Sequence, residues 1–307
     1  MSPSCSPVTV RSATRRPARR AVACAGVLLA SVTTLVSLGA LHAPPAAAAT
    51  DTPAAAEAHT PEAASPAAPG AQPHSGAARV TAAVLDLDGT DPEPVVRGDD
   101  TPYDTASIVK LDILAALLLQ AQDAGRHLTA QERALAAPMI QHSDNAAANT
   151  LWREIGLAPG LEAANKRLGL TATKGGPGGK WGLTRTTASD QIRLLRAVFD
   201  DGLTPQSGTA ALTEASRGYI RTLMSRVAAD QSWGVSAASG SGAALKNGWL
   251  QRNTTDLWDV NSVGRITAGG HRYLVAVLSD GSATMGQGVS LVEKTAKAAV
   301  ASAAARA

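Results

Sequence analysis

Ser107-Ile108-Val109-Lys110 opens a run, Leu111-Asp112-Ile113-Leu114-Ala115-Ala116-Leu117-Leu118-Leu119, that is apolar nearly all round. A helix with no polar stripe must be covered on every side by the rest of its chain, so residues 107–124 are expected to form a central, buried helix. A spacing of three places Ser107 and Lys110 on one face of it. An amine that has lost its hydration and its proton can there take the proton of the hydroxyl and turn the oxygen into a nucleophile. The plainer alternative makes Ser107 a helix cap and Lys110 a solvated charge, and the tetrapeptide alone leaves both open.

Outward from this helix, the chain reads as strands at both ends and helices between. Val80–Leu87 and Pro94–Arg97 flank a turn rich in Asp, Gly and Pro and are expected to form a hairpin. Near the other end, Ala244–Gln251, Leu257–Thr267 and Tyr273–Ser279 are strand-like runs, the last two separated by Ala268-Gly269-Gly270-His271. Helical spacing occurs at Thr129–Gln141, Asn145–Ile155, Gly160–Leu168, Thr187–Phe199, Thr209–Val227 and Val289–Ala305. This layout implies an α+β fold with one antiparallel sheet, closed by strands distant in the chain, beside a helical lobe.

Two further stretches carry chemistry. Ser143-Asp144-Asn145 follows one expected helix and opens the next. It reads either as an ordinary N-cap or as a site where Ser143 relays a proton to a leaving nitrogen and Asn145 holds a substrate carbonyl. Lys246-Asn247-Gly248-Trp249 lies in the first C-terminal strand. A strand lysine directed into a cleft binds an anionic carboxylate, and glycine at 248 permits close backbone approach.

Taken together and in this order, the three stretches resemble the S-x-x-K, S-D-N and K-T-G set of the penicillin-recognising serine hydrolases, the class A β-lactamases and penicillin-binding proteins. The resemblance extends over residues 79–305. It includes His142-Ser143-Asp144-Asn145-Ala146-Ala147-Ala148-Asn149 and the pair Thr186-Thr187 ahead of a helix. It implies the β-lactamase/transpeptidase-like fold, Ser107 as nucleophile, Lys110 as its general base, and Ser143 and Lys246 as the rest of the proton network. It further implies an oxyanion hole from the backbone N–H groups of Ser107 and Trp249, with Asn145, Asn247, Gly248 and Trp249 at the substrate.

Two departures stand out. Asn247 replaces the usual threonine of the third motif. The class A glutamate that activates the deacylating water has no counterpart, because residues 165–189 contain no acid and instead include the glycine-rich, basic stretch Lys174-Gly175-Gly176-Pro177-Gly178-Gly179-Lys180-Trp181-Gly182.

The rest of the chain bounds the setting. The formal net charge is +3, yet five arginines and no acid precede Thr50, and removing them leaves a balance of about −2, so no nucleic-acid partner is expected. Those arginines, two of them pairs, are followed by an apolar run (Ala21–Leu41) and small residues (Ala46–Ala49). Residues 1–49 are thus expected to be a cleaved export signal, of the general or twin-arginine type, and the mature protein to be secreted and free of the membrane. An uncleaved anchor is the alternative, the run being nearly long enough to span a bilayer. Both cysteines, Cys5 and Cys24, lie inside this leader, so no disulfide is expected. Residues 50–78, rich in Ala and Pro, are expected to be a disordered spacer, and residues 79–307 one monomeric domain. No G-x-S-x-G elbow occurs, so an α/β-hydrolase is not expected, and no zinc-type histidine spacing occurs, so no metal is expected; no cofactor is expected either. The expected partner is a small-molecule β-lactam or a peptidoglycan peptide, with hydrolysis of low efficiency. A D-Ala-D-Ala peptidase or esterase is one alternative, and a non-catalytic wall-binding module another.

Overall fold

Strand β1 (Arg79–Asp86) is buried at every position from Ala82 to Leu85. Successive side chains of a strand point to opposite faces, so an unbroken buried apolar run requires a sheet covered on both sides. In the computed structural model, which describes residues 76–91, 93–202 and 211–306, β1 pairs antiparallel with β2 (Val95–Arg97) on one side and β7 (His271–Ser282) on the other. The β1–β7 register runs from Arg79↔Asp280 to Asp86↔Tyr273. With β6 (Trp258–Ala268) and β5 (Ala243–Gln251), the sheet order is β2-β1-β7-β6-β5. Chain-distant strands therefore close one antiparallel sheet, as expected, and β5 is left as a free edge.

The two faces of the sheet bury different cores. Ala82, Val84, Val275 and Val277 lie against Val292, Ala296, Ala299 and Val300 of helix α7 (Met285–Ala304). On the opposite face Ala83, Leu85, Leu274 and Ala276 belong to the core built around α1 (Val109–Asp123). Every residue of α1 from Val109 to Leu119 is buried, Lys110 and Asp112 included. Each fully buried leucine there contributes about 1.5–3 kcal/mol, so this helix is an organising element of the domain. It is ringed by α2 (Ala130–Gln141), α3 (Asn145–Glu154), α4 (Leu157–Leu168) and α6 (Glu214–Met224).

Local chemistry sets the helix starts. Thr129 and Glu132 form a complete capping box on α2, Asp144 accepts from Ala147 N at the head of α3, and Thr187 accepts from Asp190 N at the head of α5 (Ala188–Phe199). Helix starts differ from expectation at α4, at α6 and at α7, which begins at Met285 rather than Val289. Helix α4 begins at Leu157 rather than at Gly160, which lies inside the helix where an added Cβ would meet Ile155 O at 1.6 Å. Helix α6 begins at Glu214, because Thr213 is extended and caps it by accepting from Ser216 N; residues 209 and 210 of the expected helix lie outside the described residues. A ribbon of β3 (Tyr103–Asp104) and β4 (Arg185–Thr186) is too short to show any periodicity.

The expected leader, residues 1–49, and residues 50–75 of the expected spacer lie outside the described residues; residues 76–78 carry no regular secondary structure. Among the described residues no helix is long and apolar enough to cross a membrane.

Candidate active site

The site forms where the free edge of the sheet meets the helical lobe. Ser107 sits on a single 3₁₀ turn, Ala106–Ile108, immediately before α1. The chain enters that turn through Ala106 at φ 46°, left-handed backbone that L residues rarely adopt. Such a conformation costs on the order of 1–3 kcal/mol and persists only where the surroundings enforce it. Here Thr105 N donates to Thr184 O at 2.8 Å, while Asn261 Nδ2, from β6, donates to Asp104 O at 2.9 Å and Thr105 O at 3.1 Å. From the other side Gly248 of β5 presses against the same turn. A Cβ at 248 would lie 2.7 Å from Ser107 N and 2.8 Å from both Ile108 N and Thr105 O, so glycine is required for the approach.

One turn into α1, Lys110 is fully buried. Its Nζ donates to Ser143 Oγ at 3.1 Å, to Asn145 Oδ1 at 2.8 Å, and to the Ser143 carbonyl. Burial pushes the amine down from 10.5 to about 7, against an opposing pull from Asp144. Ser143 lies between α2 and α3 with φ at +57°, so two of the left-handed non-glycine residues flank the site. Its hydroxyl oxygen also accepts from Lys246 Nζ at 3.0 Å. Lys246 is 1% exposed, and burial, with Lys110 second, holds its amine well below the ordinary lysine range. With both lone pairs of Ser143 Oγ engaged by lysines, its one O–H remains as a donor.

The expected direct contact between Ser107 and Lys110 is absent: Ser107 Oγ has no hydrogen bond among the described residues, because the donors of Lys110 are spent on the second motif. The physical arrangement is thus a lysine–serine–lysine chain beside Ser107; three donated bonds describe the ammonium form of Lys110, and a neutral amine keeps two N–H donors and gains a lone pair. Asn145 is exposed and contributes its carbonyl oxygen to Lys110.

Asn247 departs from its expected place at the substrate. It is 1% exposed and donates from Nδ2 to Gln231 O and Trp233 O, each at 2.9 Å. Alternation along β5 sends Lys246 and Gly248 toward the Ala106–Ile108 turn and turns Asn247 away from them. Trp249 is half-buried and meets Trp233 with ring centroids 5.9 Å apart and a 58° tilt.

The acid-free loop is tightly tied down. Trp152 Nε1 donates to Gly178 O at 2.7 Å and Trp181 Nε1 to Asn149 Oδ1 at 2.8 Å, with the Trp181 ring centroid 4.8 Å from Lys110 Nζ. The next acid, Asp190, is wholly buried and accepts from Ala172 N, Thr173 Oγ1 and Arg193. Neither Trp181 nor Asn261 sits in a motif or a period of the sequence that singles it out.

A five-stranded antiparallel sheet backed by α7, the buried helix α1 and a helical lobe define the β-lactamase/transpeptidase-like fold. The chain belongs to the beta-lactamase enzyme family, whose model matches residues 122–306, more than half of the 307. That match begins inside α1, beyond Ser107 and Lys110, and takes in the second and third motifs. Among solved structures the chain is similar to a mutant of PBP-A in its acyl-enzyme complex with penicillin G, with a TM-score of 0.60, 20% identity, and coverage of 75% of this chain and 91% of that one. It is likewise similar to the TLA-1 extended-spectrum β-lactamase, with a TM-score of 0.61, 16% identity, and coverage of 73% and 91%. At these identities the likeness is one of fold. A curated relative, the putative lipoprotein LppW of Mycobacterium tuberculosis (strain ATCC 25618 / H37Rv), is 29% identical over 130 residues. That stretch spans 42% of this chain and 41% of the relative.

Proposed function

We propose that the protein is an exported serine hydrolase in which Ser107 attacks an amide or ester carbonyl and forms an acyl-enzyme. The observation that carries this reading is the convergence on one hydroxyl, with Ser143 Oγ 3.1 Å from Lys110 Nζ and 3.0 Å from Lys246 Nζ, beside a turn that Gly248 holds in place. In this reading neutral Lys110 takes the proton of Ser107, general-base assistance that contributes typically 10²–10⁴-fold. Ser143 passes a proton to the leaving group, with Lys246 completing the relay. The backbone N–H groups of Ser107 and Trp249 receive the developing oxyanion, and Asn145 holds the substrate amide. Asn247 serves by anchoring the Gln231–Trp233 segment.

The substrate class we favour is a β-lactam or a peptidoglycan peptide; the penicillin G acyl-enzyme named for one fold neighbour makes penicillin the first probe. The leader pattern, together with the name of the LppW relative, supports export, with residues 1–49 removed as a signal, residues 50–78 as a spacer and residues 79–307 as a monomeric catalytic domain without metal or cofactor.

A second reading shares the acylation step but makes the acyl-enzyme long-lived, as in a penicillin-binding D-Ala-D-Ala peptidase or an esterase. It is favoured by the absence of any acid in residues 165–189 and by the commitment of Asp190 to buried partners. A wall-binding module without turnover is disfavoured by the intact Ser107–Lys110 pair. Intact-mass measurement after mixing with penicillin G decides. An adduct is expected on the parent protein, none on Ser107→Ala, and labelling of Lys110→Ala slowed by about 10²–10⁴-fold. Undiminished labelling of Ser107→Ala would remove the proposal.

A further inference from the structure

We infer that Trp181 is a positioning residue for Lys110: its indole forms the layer between the amine and water and keeps Lys110 dry enough to act as a base. The inference takes from the preceding section only the role of Lys110. Lys110 is fully buried, whereas Trp181, its ring centroid 4.8 Å from Lys110 Nζ, is part-exposed. The shield is therefore a side chain of the glycine-rich loop and not of the helical core.

The loop is built to hold that ring still. Trp181 begins a single 3₁₀ turn, Trp181–Leu183, and Thr184 N donates back to Trp181 O at 3.0 Å. Thr184 O receives Thr105 N at 2.8 Å, which couples the loop to the nucleophile turn. The indole N–H is fixed on Asn149 of α3, and Trp152 from the same helix holds Gly178. A Cβ at Gly176 would meet Lys180 O at 2.1 Å, so the loop doubles back on itself more closely than a side chain allows. A Cβ at Gly175 would likewise meet the Ala158 Cβ at 2.5 Å, so the start of the loop is packed against α4 at a point where no side chain fits.

Two effects of the ring on Lys110 oppose each other. The π-face favours the charged amine by a cation–π contact, worth roughly tenfold at such sites. Exclusion of water favours the neutral amine. Burial as a whole takes Lys110 from 10.5 to about 7, a change of about three orders of magnitude in proton affinity, so at the site as a whole loss of hydration outweighs a cation–π contact, and the Trp181 substitutions read the ring's share of it. Of the charged groups facing Lys110, Asp144 at the head of α3 favours the protonated form, and Lys246 of β5, across Ser143, opposes it. The loop contributes the uncharged indole.

The test is an NMR titration of Lys110 in the full chain carrying isotope-labelled lysine, compared with Trp181→Phe and Trp181→Ala. Phenylalanine keeps the cover and loses only the Asn149 bond, so the Lys110 midpoint should stay where it is. Alanine admits water and should raise proton affinity about tenfold or more, moving the acid limb of penicillin acylation up by the same amount. If Trp181→Ala does not fold, Trp181→Leu should give a smaller shift of the same sign. A folded Trp181→Ala protein whose Lys110 midpoint stays within about 0.3 pH of the parent, or falls, overturns the inference. A raised midpoint in a protein that penicillin never labels would leave this inference standing and defeat the acyl-enzyme proposal instead.

Discussion

Asp112 offers a quantitative test of how the nucleophile helix is stabilised. It lies two residues beyond Lys110 in α1, wholly buried, and neither carboxyl oxygen has a hydrogen-bond partner. Burial raises its pKa from 3.8 to about 7, the charge of nearby Asp190 adds to the rise, and Gln191 acts in the opposite direction. Gln191 Oε1 is itself buried without a partner. Because the folded-state pKa lies above the unfolded one, the native protein holds a proton that the unfolded chain releases. Stability contributed by Asp112 is fully present below pH 3.8 and is lost progressively up to about pH 7. About three pH units at 1.36 kcal/mol each amount to about 4 kcal/mol, an upper value because neighbouring groups relax. The perturbation is Asp112→Asn, which keeps the shape and cannot ionise. Urea unfolding at half-unit pH steps from 4 to 8.5 should show parent and variant nearly equal at pH 4 and the variant more stable by several kcal/mol above pH 7. Parallel profiles across that range would refute the reasoning, since they would mean that Asp112 ionises in the fold as it does in water.

Two predictions concern turnover and geometry. With no carboxylate in the loop beside the site, deacylation should lag acylation by about 10²–10⁴-fold, so a chromogenic cephalosporin in stopped flow should give a burst of about one equivalent followed by slow turnover; rapid steady turnover without a burst would reveal a base elsewhere. Gly248→Ala places a methyl 2.7 Å from Ser107 N, and because displacement of a reacting group by about 1 Å costs about 10²-fold, acylation should fall at least that far in a protein that still folds, whereas an unchanged acylation rate would show that the nucleophile turn has room to move.

Much of the fold was legible because it is written in local periodicity. The apolar run after Ser107, the strand-like ends and the capping residues Thr129, Asp144 and Thr187 each act on their own segment, and their order along the chain names the layers. The three motif-like stretches, and the absence of an acid from residues 165–189, are likewise local features of the sequence, and their catalytic meaning belongs to the proposal. The proposal of export, too, starts from the pattern of residues 1–49.

What only the tertiary structure decided depends on residues far apart in the chain. Pairing of β1 with β7 leaves β5 at the edge, and alternation along that edge turns Lys246 and Gly248 toward Ser107 and Asn247 away from it. Spacing put Ser107 within reach of Lys110, yet the three hydrogen bonds of the amine go to Ser143 Oγ, Ser143 O and Asn145 Oδ1, acceptors brought to it by a segment more than thirty residues away. The protonation of Lys110, Lys246 and Asp112 is set by how completely other segments cover them, and the covering of Lys110 by Trp181 arises from a glycine-rich loop with no period at all. Desolvation and close approach are properties of the assembled surroundings, and no window of sequence contains them.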